Sequence, residues 1–133
     1  MADAVDTINV SLGPHRIVKR FTNISDGTGE ADVVKFDASA TVGPVNGFAP
    51  VSFTVEEVFW NIQGFTSVRI EWDANTDDEC LVLSGSGYLN LTEVGGLKDP
   101  RSTGFTGDVL FTTAGATSGA TYTIVMVVRP EPA

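Results

Sequence analysis

The stretch FTVEEVFWNIQGFTSVRIEWD, Phe53–Asp73, decides the fold class, because it holds both tryptophans of the chain and its clearest two-residue alternation. From Val68 to Trp72, apolar residues alternate with charged ones, which is the pattern of a strand with one buried face. Around Phe59 and Trp60 both faces are apolar, which indicates a central strand or a bulge that switches the faces. Because the short glycine-containing link Gln63–Phe65 joins the two halves, we predict an antiparallel hairpin.

The rest of the chain repeats this pattern of short alternating segments between glycine- and proline-containing turns. Asp26-Gly27 is a favoured hairpin dipeptide, so we predict that the strand in His15–Ile24 returns as Ala31–Phe36. Gly119–Arg129 is apolar on both faces, which predicts a central strand. The sequence therefore predicts an all-β fold, an antiparallel β-sandwich of about eight or nine strands, either jelly-roll or immunoglobulin-like.

We divide the chain into an N-terminal segment, residues 1–14, and one β-sandwich domain, residues 15–133. The N-terminal segment alternates like a strand, but Gly13-Pro14 separates it from the next predicted strand, and a proline cannot donate to a ladder. The segment is therefore either an edge strand of the domain or an arm that pairs with another chain. The apolar residues that such an arm would bury are Ile8, Val10 and Leu12.

Charge and composition exclude several classes of partner. The chain has a formal net charge of −9 and only eight basic residues among 133, which argues against a nucleic-acid partner. Cys80 is the single cysteine, so no intramolecular disulfide is possible, as is typical of a protein made in a reducing cytoplasm. The acidic start MADAVDTINV does not fit a signal peptide, and no apolar run approaches the ~18 residues of a membrane span. We therefore expect neither a cleaved signal nor a membrane partner.

The sequence offers little catalytic or metal-binding chemistry. His15 is the only histidine, and Cys80 adjoins an apolar run that favours a buried, inert thiol. Asp73–Glu79 has the D-x-N-x-D opening of a calcium loop, but Asp78 stands where the turn needs glycine and Ser84 where a glutamate ligand belongs. We interpret that stretch as a solvated acidic loop, and we predict no enzymatic activity, no cofactor and no metal site.

Two further groups of residues are assigned to ordinary structural roles. The carboxylates of Glu56, Glu57 and Glu71 are predicted to lie on the solvent side of their strands. A platform for stacking sugars would need exposed aromatic residues, yet Trp60 and Trp72 both fall on positions that face the core of the predicted hairpin. We therefore expect both tryptophans to pack in the core.

Five stretches together carry a resemblance to a known class of proteins: SDGTGE (25–30), VRIEWDA (68–74), VGGL (94–97), TGDVLFTT (106–113) and SGATYTIVMVVR (118–129). With these turns and strands the chain resembles the small all-β virion proteins of tailed bacteriophages, especially marine ones, which associate with the capsid. The similarity covers most of residues 16–129. Its motifs are structural, and the family defines no active site.

The resemblance implies a capsid decoration or cement protein that binds the major capsid protein and stabilises the shell. Such a protein assembles in the host bacterial cytoplasm and is exposed on the virion surface. We expect a homo-oligomer, with a trimer favoured because the shell has local three-fold symmetry. The candidate contacts with capsid or subunits are Ile8, Val10, Leu12 and Phe48. The alternative function is a tail, receptor-binding or carbohydrate-binding module, which would expose aromatic residues on one face.

Overall fold

The computed structural model describes residues 4–12, 16–38 and 50–131. Within them the chain forms ten strands: β1 (Ala4–Leu12), β2 (Ile17–Asp26), β3 (Val33–Phe36), β4 (Ser52–Gln63), β5 (Ser67–Trp72), β6 (Asp78–Leu83), β7 (Ser86–Asn90), β8 (Leu97–Lys98), β9 (Val109–Ala114) and β10 (Ser118–Glu131). The only helical element in these ranges is a 3₁₀ turn, Thr92–Val94. No helix in the described part of the chain is long and apolar enough to cross a membrane.

The strands form two antiparallel sheets, which confirms the predicted all-β class. The large sheet has the order β1-β2-β10-β4-β7, and β8 also pairs with β4. The small sheet has the order β3-β9-β5-β6. Side chains from both sheets pack into one core. The ten strands exceed the predicted eight or nine, and one of them, β8, is only two residues long.

The central position predicted for the last strand is confirmed. β10 pairs with β2 on one side and with β4 on the other, over most of its length. Its inner face buries Tyr122, Ile124, Met126 and Val128. Such a strand is apolar on both faces, because its inner residues pack in the core and its outer residues contact side chains of the strands on both sides.

Two predicted hairpins are wrong, because each pair of strands is divided between the two sheets. β4 lies in the large sheet and β5 in the small one, so Gln63–Phe65 carries the chain across the core. β4 is already paired with β10 on one edge and with β7 and β8 on the other, which leaves no edge for β5. In the same way β2 belongs to the large sheet and β3 to the small one, although Asp26-Gly27 lies between them.

Gly64 makes the crossing after β4 possible. Its φ is +87°, and a Cβ there would lie 2.9 Å from the Cβ of Ala120 at the start of β10. A side chain at position 64 would therefore be strained and would meet the neighbouring strand. The chain turns tightly here, and Phe65 enters the core directly afterwards.

The N-terminal segment is an edge strand of the large sheet. β1 pairs with β2 in antiparallel register from Ala4 opposite Ile24 to Leu12 opposite Ile17, with a bulge between Asn9 and Ser11. Residues 4–12 are therefore at the edge of the large sheet, and the outer edge of β1 carries no partner strand among the described residues. Gly13 and Pro14 lie outside the described residues.

The centre of the core is a group of aromatic rings that join the two sheets. Phe111 of β9 lies 5.1 Å from Phe21 of β2 and 5.9 Å from Tyr122 of β10, measured between ring centroids. Both contacts are edge-to-face, the arrangement that the ring quadrupoles favour. Trp72 is buried, as predicted, whereas Trp60 is only partly buried against the core.

Because Phe111 contacts rings of the opposite sheet and is fully buried, Phe111→Ala should lower the free energy of unfolding by about 3–5 kcal/mol. Urea unfolding followed by tryptophan fluorescence measures this loss. The matched control is Val82→Ala, since Val82 is exposed on the small sheet and its truncation should change stability by no more than about 0.5 kcal/mol. Equal losses in the two variants would contradict the position of the core.

Candidate functional site

The outer face of the large sheet carries the most distinctive surface of the molecule. Five residues lie directly opposite one another on successive strands and form one continuous row across the sheet, which we call the outer row: Ile8, Arg20, Val125, Phe59 and Tyr88. With strands about 4.8 Å apart, the row is roughly 19 Å long. Four of its five members are apolar or aromatic.

The outer row is accessible to solvent. Ile8, Phe59 and Tyr88 are 40%, 45% and 46% exposed, respectively. Val58, the neighbour of Phe59 on β4, is fully buried, so the alternation of β4 directs Phe59 away from the core. Apolar residues that alternate outwards on a sheet without a covering layer are typical of a contact surface.

Phe59 and Tyr88 form a stacked pair at one end of the outer row. Their ring centroids are 4.1 Å apart and their planes differ by 17°. The Tyr88 hydroxyl donates to Glu57 Oε1 at 2.6 Å, which orients the tyrosine ring. This hydrogen bond is the main reason why the pKa of Tyr88 is raised. The pair is therefore a preordered aromatic patch, because stacking and the hydrogen bond hold both rings in place.

The small sheet carries an acidic cluster on its outer side. Carboxylate oxygens of Asp32, Glu71 and Asp77 all lie within 4.8 Å of one another. The Thr112 hydroxyl lies between two of them, 2.8 Å from Glu71 Oε1 and 3.1 Å from Asp32 Oδ1. Arg69 approaches Glu71 only to 3.9 Å. Burial raises the pKa of Glu71, and burial together with the nearby Asp32 raises that of Asp77.

Only one residue of the predicted acidic loop, Asp77, belongs to this cluster. Asp77 comes from the stretch Asp73–Glu79, but its partners Asp32 and Glu71 come from elsewhere in the chain. Asp73 has a side-chain hydrogen bond with Asp77 and also accepts a 2.8 Å hydrogen bond from the Thr106 hydroxyl, whereas Glu79 pairs with Arg69 at 2.6 Å. The stretch therefore does not wrap around a single point as a calcium loop would.

Two carboxylates predicted to face solvent are buried. Glu56 is 3% exposed and forms ion pairs with Arg16 at 3.0 Å and with Arg129 at 3.2 Å. It sits at the bulge in β4 where the register with β10 shifts, which the alternation of the sequence alone does not reveal. Glu71 is 6% exposed, beside Thr112 of the adjacent strand β9.

A third carboxylate, Glu30, belongs to a buried network between the sheets. Lys35 donates to Glu30 Oε2 at 2.7 Å, the Tyr122 hydroxyl donates to Glu30 Oε1, and Asn23 Nδ2 donates to the same oxygen at 3.3 Å. Lys35 also lies over the rings of Phe21 and Phe111. Because the charges are paired and hydrogen-bonded, we assign the network a structural role.

The candidate contact residues from the sequence are only partly described by the structure. Ile8 is exposed on β1 and belongs to the outer row. Val10 and Leu12 lie in β1, but their side chains are outside the described part of the structure. Phe48 and His15 lie outside the described residues altogether. Burial raises the pKa of the Cys80 thiol to about 12, which fits the predicted inert cysteine.

No protein-family model, curated protein or solved structure matches this chain. The outer row and the acidic cluster are therefore interpreted from their own geometry. The sequence did not reveal either one, since each combines residues from strands that are distant in the chain. The only signal for the row was the apolar pair Phe59 and Trp60 on opposite faces of one strand, which we interpret, from the sequence alone, as a sign of a central strand or a bulge.

The raised pKa of Asp77 leads to a pH-dependent prediction. A carboxyl group whose pKa is higher in the folded protein favours folding at low pH, and that contribution is lost as the pH rises through the folded pKa. Asp77→Asn should therefore raise the melting temperature at pH 7, and the gain should vanish as the pH falls below about 4. Asp6→Asn is the control for net charge, because Asp6 is exposed on β1, away from the cluster. Equal gains in both variants across this pH range would contradict the prediction.

Proposed function

We propose that the protein is a structural protein of a tailed-bacteriophage virion, which binds the major capsid protein through the outer row and stabilises the shell. The assignment to a virion rests on the sequence resemblance. The observation that carries the binding role is the outer row itself, which crosses five strands and has four apolar or aromatic members and one charged member, Arg20. Binding only to the assembled shell would stabilise that state by mass action.

We further propose that the sheets form a jelly roll. A jelly roll follows when a long antiparallel ribbon of eight strands is wound into two sheets, so that the first strand pairs with the eighth, the second with the seventh, the third with the sixth and the fourth with the fifth. Without β1 and β8, four such pairs are present: β2 with β10, β3 with β9, β4 with β7, and β5 with β6. An immunoglobulin-like sandwich would instead contain more hairpins of consecutive strands.

The jelly roll is compatible with both functions under consideration, because this architecture occurs in viral capsid proteins and in lectins. A fold alone does not decide between them. The choice therefore depends on the shape and chemistry of the exposed surface.

The aromatic pair favours a protein partner over a glycan. Sugar-binding platforms use ring faces, but Phe59 and Tyr88 each turn one face towards the other. The row also continues beyond the rings through Val125 to Ile8, so an occupant would need a long apolar edge of its own. Such a contact is characteristic of a protein interface with aromatic anchors and few charges at its centre.

The charge distribution is consistent with this partner. The chain carries a net charge of −9, but Arg20 is the single charged member of the outer row. Apart from Arg20 and from Glu57, whose carboxylate accepts the hydrogen bond of the Tyr88 hydroxyl, little charge would be desolvated when the row is covered, while the acidic remainder of the surface would stay in water. The excess negative charge would limit association at other surfaces. A trimer on the shell remains our expectation for the assembled state.

The double variant Phe59→Ser/Tyr88→Ser tests the binding role. It should fold, because both side chains are about half exposed, and it should bind purified capsids of the encoding virus at least about tenfold more weakly. Co-sedimentation with particles measures the affinity, and mass spectrometry of purified virions shows whether the native protein is present.

Val82→Ser is the matched control, since Val82 is a 55% exposed apolar residue on the small sheet. It should bind capsids like the wild type. Loss of binding in both variants, or in neither, would contradict the assignment to the outer row. Binding of immobilised glycans that depends on Phe59 and Tyr88, without binding to capsids, would select the carbohydrate-binding alternative.

A further inference from the structure

Three buried polar atoms have no hydrogen-bond partner among the residues that the structure describes and lie at one end of the core. They are Trp72 Nε1, Asp78 Oδ2 and Asp99 Oδ2. Trp72 is 5% exposed and Asp99 is 8% exposed. Burying an indole N–H and two carboxylate oxygens without hydrogen-bond partners costs free energy of folding. The presence of three such atoms at one place therefore needs an explanation.

The fold brings these residues together from both sheets. Trp72 and Asp78 are directly opposite each other on β5 and β6, so their side chains project from the same face of the small sheet. That face is the inner one, because Trp72 packs in the core. Asp99 follows β8 of the large sheet, and its electrostatic interactions with Asp78 and Cys80 place it near both.

The charges at this place are unbalanced. Asp99 Oδ1 accepts a 2.8 Å hydrogen bond from the backbone N–H of Arg101, whereas Asp99 Oδ2 has no hydrogen-bond partner among the described residues. Asp99 interacts electrostatically with the Asp78 carboxylate and with the Arg101 guanidinium, and the repulsion from Asp78 is the larger of the two. A ligand with positive charge would relieve both the desolvation and the repulsion.

The donor set indicates which class of cation fits. Two carboxylate oxygens are hard ligands of the kind that Ca²⁺ takes, and Ca²⁺ fills its remaining positions with water. The Trp72 N–H cannot bind a cation, but it can donate to such a water.

We propose that Asp78 Oδ2 and Asp99 Oδ2 bind a divalent, oxygen-preferring cation such as Ca²⁺ between the ends of the two sheets. A water on the cation accepts the Trp72 N–H. The cation joins β6 of the small sheet to the segment after β8 of the large sheet, so it clamps one end of the fold. This inference is independent of the proposed capsid partner.

The site is distinct from the acidic cluster on the outer side of the small sheet. Glu71 and Trp72 are adjacent on β5, where alternation sends their side chains to opposite faces. Asp77 precedes β6, and its carboxylate lies beside Glu71 on the outer side, whereas Asp78 is opposite Trp72. The cluster contains three carboxylates that have Thr112 or backbone partners, whereas the inner site contains oxygens without partners. Variants in the two places therefore separate them.

Tb³⁺, which occupies oxygen-lined Ca²⁺ sites, provides the direct probe on the full chain. Excitation of the tryptophans should give sensitised Tb³⁺ emission, because Trp72 borders the site, and added Ca²⁺ should quench it by competition. Asp78→Asn and Asp99→Asn should each raise the dissociation constant by at least about 100-fold. Both should fold, since an amide removes the repulsion between the two carboxylates.

Asp32→Asn and Asp77→Asn are the matched controls, because each removes one negative charge from the outer cluster. Cys80→Ser removes the thiol and leaves the carboxylates. All three should retain the emission and its competition by Ca²⁺. In the wild type, Ca²⁺ should also raise the melting temperature, and Asp78→Asn/Asp99→Asn should abolish that rise.

Two outcomes would overturn the proposal. Emission that is lost in Asp32→Asn and Asp77→Asn but retained in Asp78→Asn and Asp99→Asn would place the cation in the outer cluster. Absence of emission, of calorimetric binding and of any Ca²⁺ effect on the wild-type melting temperature would show that the three polar atoms bind water only.

Discussion

The pairing of β10 with both β2 and β4 is the constraint on which the rest of the structure depends. It joins the last strand to the beginning and the middle of the chain, and so it completes the large sheet. The inner face of β10 supplies Tyr122 and Ile124 to the core, where they meet the aromatic rings of the small sheet. Its outer face supplies Val125 to the outer row. One strand therefore sets both the buried interior and the surface to which we assign binding.

The two sheets have different exposed surfaces, and this difference organises the proposed functions. The large sheet presents a nearly uncharged line ending in the Phe59 and Tyr88 rings, which is suited to a protein partner. The small sheet presents the cluster of Asp32, Glu71 and Asp77, which keeps that side strongly acidic. A partner on the large sheet would thus leave the acidic side in solvent, as expected for a protein that covers the outside of a particle.

The sequence predicted the features that depend on the alternation within one strand, but not those that depend on which strands pair with each other. The all-β class, the two antiparallel sheets, the central last strand and the burial of Trp72 follow from local alternation. Alternation shows which face of a strand is buried but not which strand lies beside it, so the hairpin of β4 with β5 was wrong. A bulge hid the burial of Glu56. The outer row and the pair Asp78 and Asp99 arise only from register and from packing between sheets.

Hydroxyl-radical footprinting of the free protein and of the protein on purified particles tests the central claim most directly, because it reads the exposure of individual side chains without mutation. The account predicts that Phe59 and Tyr88 are oxidised in the free protein, where both are about half exposed, and are protected on the particle. Val82 on the small sheet should be oxidised equally in both states. Unchanged oxidation of Phe59 and Tyr88 on bound protein, or protection of Val82 instead, would contradict the account.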